Sequence, residues 1–340
     1  MKTKNASLHR LSRCLLLLLL FAAPAWGQEK KLTLISYPAR PPKVPLWLAL
    51  EEGLFAKHGL GVALKELQSN DELLRALGRR EGDAYAATAT HIVSGIGDGA
   101  DLVFVANTGY SVLKLLSRPD ISRVEDLKGK KVGTGEAGSN QDRITRQTLL
   151  RLGLDPERDV TLVAFGSRSV TRLNALLEGK IDATTSNEEN IYDLERRGGL
   201  SKVRVLADND SLKLYIGAGV DFAVARGWLR KDRDGVKSFL RALCEAIAMA
   251  KSSRALADRI YGKYLGVNDP AMLDFLYRTY VRGAIPQRPF AKSEVIALGL
   301  EEFGAKPGVK GKNTDDLIDT SLLRDLEREG FFDRLYGTNK

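Results

Sequence analysis

The feature that most restricts the fold of this chain is a repeated alternation of strand-like and helix-like segments. In the first part, apolar strand patterns at 32–37, 62–67, 83–87 and 102–106 are separated by helical patterns that begin at Pro45 and span 71–80. The alternation restarts with strands at 130–134, 160–165 and 181–185 and helices at 140–152 and 170–178. Such alternation predicts mostly parallel α/β sheets.

The two α/β parts carry a weak internal similarity, and the rest of the chain is helical in pattern. LRAL at 74–77 leads to Gly82 and Asp83, and LNAL at 173–176 leads to Gly179 and Asp182. The similarity suggests two similar lobes. From Gly227 onward, helical periodicity predicts a helix through 236–247 and further helices at 271–281, 293–303 and 322–329.

The N-terminus has the pattern of a secretory signal peptide over residues 1–25. Lys2, Lys4, Arg10 and Arg13 precede a leucine-rich run, and small residues near Ala25 or Gly27 suit cleavage. A membrane anchor is the alternative, but the apolar run is short for a span of about 20 residues. Cleavage would remove one of the two cysteines and leave Cys244 alone, without an intramolecular disulfide.

The charge of the chain is less basic than it first looks. The formal net charge is +9, and loss of the signal peptide lowers it to about +5. With 44% apolar and 28% charged residues the composition is ordinary for a globular protein. We therefore expect no nucleic-acid partner.

A glycine-rich turn is the sharpest local motif. GTGEAG at 133–138 follows a predicted strand and opens a helix, the context of a dinucleotide fingerprint, but no acidic residue ends the next strand. The free N–H groups of such a turn could instead bind a polar or anionic ligand, or Ser139 could only cap the helix, since Asp142 follows it by three residues. The turns at Thr88–Thr90 and 186–188 have the same two interpretations.

The sequence offers few residues that could form a catalytic site. His58 and His91 are the histidines that remain after cleavage, and Cys244 lies in an apolar helical pattern. SVLK at 111–114 matches S-x-x-K without the companion motifs of that enzyme class. The residues therefore favour a binding protein over an enzyme, with no cofactor and no metal.

Four segments in this order and spacing resemble the substrate-binding proteins of ABC importers. They are PLWLALEEGLFAKHGL at 45–60, GDAYAA at 82–87, EDLKGKKVG at 125–133 and LLEGKIDA at 176–183. The resemblance is closest to the branch that includes aliphatic-sulfonate, taurine, nitrate and thiamine-pyrimidine-precursor binders, and it covers most of residues 30–265. The related thiamine-pyrimidine synthases carry a cysteine-rich motif, which this sequence lacks.

The resemblance implies a type II periplasmic-binding-protein fold. Residues 28–110 with 222–340 would form a discontinuous first lobe that includes the C-terminal helices, and residues 111–221 would form the second. Two crossing segments, near 106–114 and 215–224, would join the lobes. The turns identified above would face each other across a cleft, which gives these candidate ligand-binding residues: Tyr37, Trp47, Thr88, Thr90, Asn107, Tyr110, Gly138, Ser139, Asn140, Ser186, Asn187 and Glu188.

The resemblance also implies a function. We expect a monomeric periplasmic protein that binds a small molecule between its lobes and delivers it to an ABC permease in the inner membrane. A periplasmic enzyme on the same fold, similar to the pyrimidine synthases, and a ligand-binding sensor for a receptor partner are the alternatives. The sequence shows no arginine pair suited to a sulfonate, and Glu136, Asp142, Glu188 and Glu189 would oppose a strong anion. A neutral, zwitterionic or weakly basic heterocycle is therefore as plausible a ligand as an anion.

Overall fold

The chain folds into two five-stranded sheets with helices on both. The computed structural model describes residues 30–37, 39–110, 113–166, 168–208, 211–212 and 219–337. The predicted signal peptide, residues 1–25, lies outside these residues. Within them, no helix is both long enough and apolar enough to cross a membrane.

The strands confirm the predicted alternation and add three that the patterns missed, β5, β9 and β10. The strands are β1 (Lys30–Ser36), β2 (Leu60–Glu66), β3 (Ala84–Ala87), β4 (Leu102–Tyr110), β5 (Leu113–Ser117), β6 (Lys131–Thr134), β7 (Thr161–Ala164), β8 (Ala183–Asn187), β9 (Arg204–Asp208) and β10 (Gly219–Ala225).

Most of the predicted helices begin and end within a few residues of the predicted positions, whereas α4 and α7 were not predicted. The α-helices are α1 (Val44–Glu51), α2 (Leu54–Lys57), α3 (Asn70–Gly78), α4 (Ala89–Gly97), α5 (Asn140–Arg151), α6 (Ser169–Leu177), α7 (Glu188–Arg196), α8 (Arg226–Lys231), α9 (Arg233–Ser252), α10 (Arg254–Leu265), α11 (Pro270–Leu276), α12 (Ser293–Phe303), α13 (Ser321–Arg328) and α14 (Phe331–Tyr336). Short 3-10 turns lie at Pro41–Lys43, Val124–Leu127, Leu200–Lys202 and Asp315–Leu317, and a π-helix spans Tyr277–Ala284.

Two predicted helices differ in their internal structure. The helix that begins near Pro45 is divided into α1 and α2 at Gly53, which has a φ of 63°. The helix expected at 271–281 is α-helical as far as Leu276 and continues as the π-helix. A π-helical turn changes the direction in which successive side chains point, and such turns are frequent at functional sites.

Each sheet mixes parallel and antiparallel pairs, so the prediction of mostly parallel sheets was wrong for the strands that follow the crossings, β5 and β10, which pair antiparallel with their neighbours. The first has the order β2-β1-β3-β10-β4, in which β1 is parallel to β2 and β3, and β10 is antiparallel to β3 and β4. The second has the order β7-β6-β8-β5-β9, in which β6 is parallel to β7 and β8, and β5 is antiparallel to β8 and β9. The carboxyl ends of the parallel strands in each sheet therefore lie at one edge of it.

The first sheet is buried on both faces. Leu34, Ala84 and Phe222 pack on one side in a core shared with α1 and α9, and Ile35, Tyr85 and Ala223 pack on the other with α3, α4 and α12. Side chains alternate between the two cores with the period of two that a strand imposes. The second sheet is covered by α5 on one face and by α6 and α7 on the other.

The chain crosses twice between the sheets, as a two-lobed binding-protein fold requires. The first crossing runs from β4 to β5, and residues 111–112 between them lie outside the described part. The second runs from β9 to β10 through residues 209–218, of which only 211–212 are described. The first lobe consists of the first sheet with its helices and the C-terminal helices. The second lobe consists of the second sheet with α5, α6 and α7. The domain boundaries expected at 110/111 and 221/222 stay a prediction.

Gly109 in β4 lies against the end of the π-helix. It is buried and has a φ of +106°, and a Cβ atom there would lie 2.7 Å from the carbonyl oxygen of Ala284. Asn107 in the same strand donates its backbone N–H to the carbonyl of Pro289 at 2.9 Å. The first crossing is therefore fixed to the C-terminal segment by close backbone contact.

We expect Gly109→Ala to destabilise the protein by about 2 to 4 kcal/mol, because it adds both a positive-φ penalty and a backbone clash. Thermal unfolding followed by circular dichroism measures the effect as a fall in Tm of several degrees. Gly227→Ala in α8 is the matched control, since a Cβ there meets nothing within 4 Å. Equal Tm values for the two variants would contradict the contact.

Candidate functional site

A cavity of about 350 Å³ lies between the two lobes. This volume is near the lower end of the range for small-molecule sites. The second lobe contributes Leu113 of β5, Asn187 of β8 and residues at the starts of three helices, and the first lobe contributes the segment after β1 and the C-terminal helices. The lining residues are Ala39, Arg40, Pro41, Leu113, Gln141, Ser169, Asn187, Glu189, Leu265, Val267, Met272 and Leu276.

The second-lobe wall is polar because three helices begin there. Gln141, Ser169 and Glu189 lie in the first turns of α5, α6 and α7. Asn187 caps α7, and its Oδ1 accepts a hydrogen bond from the N–H of Asn190 at 3.3 Å. Helix N-termini present free N–H groups and a positive dipole end, so this wall favours hydrogen-bond acceptors.

The opposite wall is apolar and comes from the C-terminal helices. Leu265 ends α10, Val267 follows it, and Met272 and Leu276 lie on α11. Pro41 adds to the same apolar surface. A ligand that fills the cavity therefore meets a polar wall on one side and an aliphatic wall on the other.

Two opposite charges face the cavity, Arg40 and Glu189. Burial raises the pKa of Glu189 and lowers that of Arg40, and each charge opposes the shift of the other. The Tyr280 hydroxyl also lowers the pKa of Glu189. The buried Oε2 of Glu189 has no hydrogen-bond partner among the described residues.

A second buried arginine supports the polar wall from behind. Arg172 of α6 is fully buried, and its Nη2 donates to the Oε1 of the cavity-lining Gln141 at 2.9 Å. It also donates to the carbonyls of Gly166 and Thr185 and to the hydroxyl of Thr184. Burial lowers its pKa to about 10, so it remains cationic near neutral pH.

A polar cluster lies where β1 and β3 end in the first lobe. Thr88 Oγ1 is 2.8 Å from Nδ1 of His91 and 3.1 Å from Oγ1 of Thr90, and the ring of Tyr37 lies 6.1 Å from that of His91. Burial, and then the positive charges of Arg143 and Arg40, lower the pKa of His91 to about 3, so its imidazole is neutral. Its buried Nε2 has no hydrogen-bond partner within the described ranges.

A buried carboxylate joins the two strands next to the crossings. Asp221 of β10 accepts hydrogen bonds from Nδ2 of Asn107 at 2.8 Å and from the N–H of Ala89 at 2.9 Å. Oδ1 of Asn107 accepts from the N–H of Gly109 at 2.9 Å. Burial raises the pKa of Asp221 to about 6, against the effect of these two donors.

The lobes touch on two sides of the cavity. On one side Arg143 of α5 pairs with Glu302 of α12 at 3.0 Å and lies over the ring of Phe303. On the other side, side chains of α7 contact α11 and the residue before it. There Tyr192 stacks on Phe275 at 4.3 Å between centroids, and Arg196 pairs with Asp269. The structure therefore represents a state in which the lobes are in contact.

The predicted candidates occupy several different places. Asn187 lines the cavity, and Tyr37, Thr88 and Thr90 form the cluster around His91. Asn107 donates a hydrogen bond to Asp221 next to the crossing. The ring of Tyr110 lies 4.6 Å from the ammonium of Lys292. The side chain of Asn140 lies outside the described part.

Other candidates have structural contacts in place of contact with the cavity. Ser139 accepts from the N–H of Asp142 at 3.2 Å, as the capping interpretation predicts, and Gly138 donates to the carboxylate of Asp142. Glu188 pairs with Lys114 at 3.4 Å. Ser186 is buried at the end of β8. None of these four is among the residues that line the cavity.

Trp47, a predicted ligand-binding residue, lies in the core of the first lobe. It is fully buried, its Nε1 donates to Glu66 at 3.0 Å, and its ring stacks on Tyr264 at 4.8 Å. The buried Lys43 lies in the same group, with its Nζ 3.6 Å from Glu66. These contacts leave Trp47 outside the cavity lining.

Sequence reasoning missed Arg40, Gln141 and the apolar wall, and it treated Glu189 only as a charge against anions. Arg40 and Gln141 follow strand ends, as the named candidates do, so a wider search of the same turns would have found them. The wall residues look like ordinary core positions of amphipathic helices, and no local signal distinguishes them.

A family model described as NMT1/THI5 like matches residues 41–254. The chain belongs to this family. 4-Amino-5-hydroxymethyl-2-methylpyrimidine phosphate synthase THI13 of Saccharomyces cerevisiae is 25% identical over 272 residues, which are 75% of this chain and 76% of the yeast protein.

Solved structures confirm the two-lobed fold of this NMT1/THI5-like protein. The periplasmic aliphatic sulphonate binding protein SsuA from Escherichia coli superposes with a TM-score of 0.65 at 21% identity, over 85% of this chain and 98% of that one. The alkanesulfonate-binding protein SsuA from Xanthomonas axonopodis pv. citri, bound to MOPS, gives 0.62 at 18% identity, over 86% and 99%.

The raised pKa of Asp221 predicts a pH-dependent contribution to stability. The unfolded chain loses this proton near pH 4 and the native state near pH 6, so the contribution is full below about pH 4 and is lost as pH rises through 6. Asp221→Asn removes this titration. The stability of the natural protein relative to the variant should therefore fall by about 2 to 3 kcal/mol between pH 4 and pH 7. Urea unfolding at each pH measures it, and parallel stability curves would contradict the assignment.

The Arg143–Glu302 pair predicts a bias toward lobe contact. Glu302→Gln removes a half-buried charge, so we expect the ligand-free protein to open and its radius of gyration in small-angle X-ray scattering to increase. Glu294→Gln is the control, because Glu294 is exposed on the same helix and forms no ion pair among the described residues. Identical scattering from both variants would show that the pair does not hold the lobes.

Proposed function

We propose that this protein captures a small solute between its two lobes and delivers it to an ABC-type importer. The observation that carries the proposal is the cavity between the lobes, lined from both sides and flanked by lobe-to-lobe contacts. A ligand held there touches both walls at once, so it binds the contact state more tightly than an open one. Differential affinity of this kind shifts a hinge equilibrium toward closure.

The proposal also includes export of the protein and delivery of the solute to a membrane permease. The leucine-rich N-terminus supports export, and the structural neighbours are named as periplasmic binding proteins. We infer a periplasmic, monomeric protein whose closed form docks on a membrane permease. Residues on both walls contribute to ligand binding. They are Asn187, which belongs to the predicted set, and Arg40, Gln141 and Glu189.

A second candidate is an enzyme on the same fold. It is favoured by the yeast relative, which is named as a pyrimidine phosphate synthase, and by the neutral, buried His91. Against it, Cys244 is buried in α9, where burial raises the pKa of its thiol, and the sequence lacks the cysteine-rich motif of the related synthases.

A thermal-shift screen against a few hundred metabolites tests the binding function first. The set spans sulfonates, pyrimidines, amino acids, aromatic acids and nitrate. A solute at 100 times its Kd should stabilise the native state by about 2.7 kcal/mol, which raises Tm by several degrees. A folded protein with no shift across the set would count against capture of a solute of these classes.

The enzyme candidate has its own readout. The protein is incubated with pyridoxal phosphate or iron, and released products are followed by mass spectrometry. Product formation that His91→Asn abolishes, without loss of folding, would favour the enzyme. Binding of a solute that is recovered unchanged would favour transport.

A further inference from the structure

Glu189 is a carboxylate that lines the cavity; the Tyr280 hydroxyl acts on it, and one of its two oxygens has no partner in the described part of the chain. It lies in the first turn of α7, and the oxygen without a partner is the buried Oε2. A buried acceptor without a partner costs free energy, and a carboxylate costs more than a neutral group. A ligand N–H would supply the missing donor, most strongly if the nitrogen is positively charged.

The cavity also holds charge of the opposite sign. Arg40 lines it from the first lobe, and Arg172 lies behind Gln141 in the second. The N-termini of α5, α6 and α7 add positive potential on the same wall. A simple organic cation would add to this positive potential, and a simple anion would face the carboxylate of Glu189.

The apolar wall sets the remaining requirement. Leu265, Val267, Met272 and Leu276 line the cavity with aliphatic side chains. A solute that consists only of charged groups would leave this surface in water. Burial of an apolar part against it is favourable in proportion to the area covered.

We propose that the cavity selects a compact amphoteric solute, with a cationic nitrogen at Glu189, an anionic or acceptor group toward Arg40 and an apolar body against α10 and α11. This inference rests on the proposed solute-binding function and names its substrate class. This substrate class differs from simple alkanesulfonates, because a carboxylate in the cavity would repel the sulfonate group.

Matched probes test the charge requirement on the unmodified protein. Phenylalanine, 3-phenylpropanoate and phenethylamine share an apolar body and differ in charge. The same holds for 3-(piperidin-1-yl)propanesulfonate and 3-cyclohexylpropanesulfonate, in which a ring carbon replaces the basic nitrogen. These accompany a wider panel sorted into zwitterions, anions, cations and neutral compounds. Thermal shift ranks the panel, and isothermal titration calorimetry measures the strongest binder. We expect that binder to be amphoteric, and its analogue without the basic nitrogen to bind at least tenfold more weakly.

Glu189→Gln tests the residue itself. We expect it to weaken the strongest binder at least tenfold, whereas Glu195→Gln, on an exposed position of the same helix, changes its affinity less than twofold. Circular dichroism checks that both variants fold. If Glu189→Gln does not fold, the comparison of analogues on the unmodified protein still tests the proposal.

The outcomes separate the two proposals. A plain anion as the strongest binder, or an affinity that Glu189→Gln leaves unchanged, overturns the amphoteric class and leaves solute capture intact. Absence of binding by every charge class overturns solute capture, and the substrate class with it.

Discussion

The two lobes depend on how β4 and β10 pair at the edge of the first sheet. These strands lead to the two crossings, and Asp221 is buried between them with hydrogen bonds from Asn107 and Ala89. A buried carboxylate tolerates little change in the position of its donors, because each lost bond leaves a charge unpaired. The geometry at the crossings is therefore specified by a polar contact, while the sheets on either side are specified by apolar burial.

The cavity gains its chemistry from the same arrangement. Because the crossings bring the helix starts of the second lobe opposite the segment after β1, Glu189 and Arg40 face one small volume. Each lobe supplies one of the two charges. The C-terminal helices then cover the remaining side, so three separate parts of the chain define what can bind.

Much of the architecture could be predicted from the sequence, and the site could be predicted only in part. Strand and helix alternation is a local property, and so is the helix cap at Ser139. Which polar residue of a turn points inward is decided by packing between lobes, and so Asn187 was found while Glu189 was weighed only as a charge. The wall around Met272 depends on contacts between distant segments, which single-chain periodicity does not encode.

The apolar wall has a consequence for how ligand preference can diverge. Its residues lie at 265–276, after the end of the segment that matches the family model, 41–254. The shared segment can therefore stay intact while substitutions or length changes in the C-terminal region alter the shape of the cavity. Two relatives with closely similar shared segments could in this way bind different ligands, and family membership would be a poor guide to ligand identity.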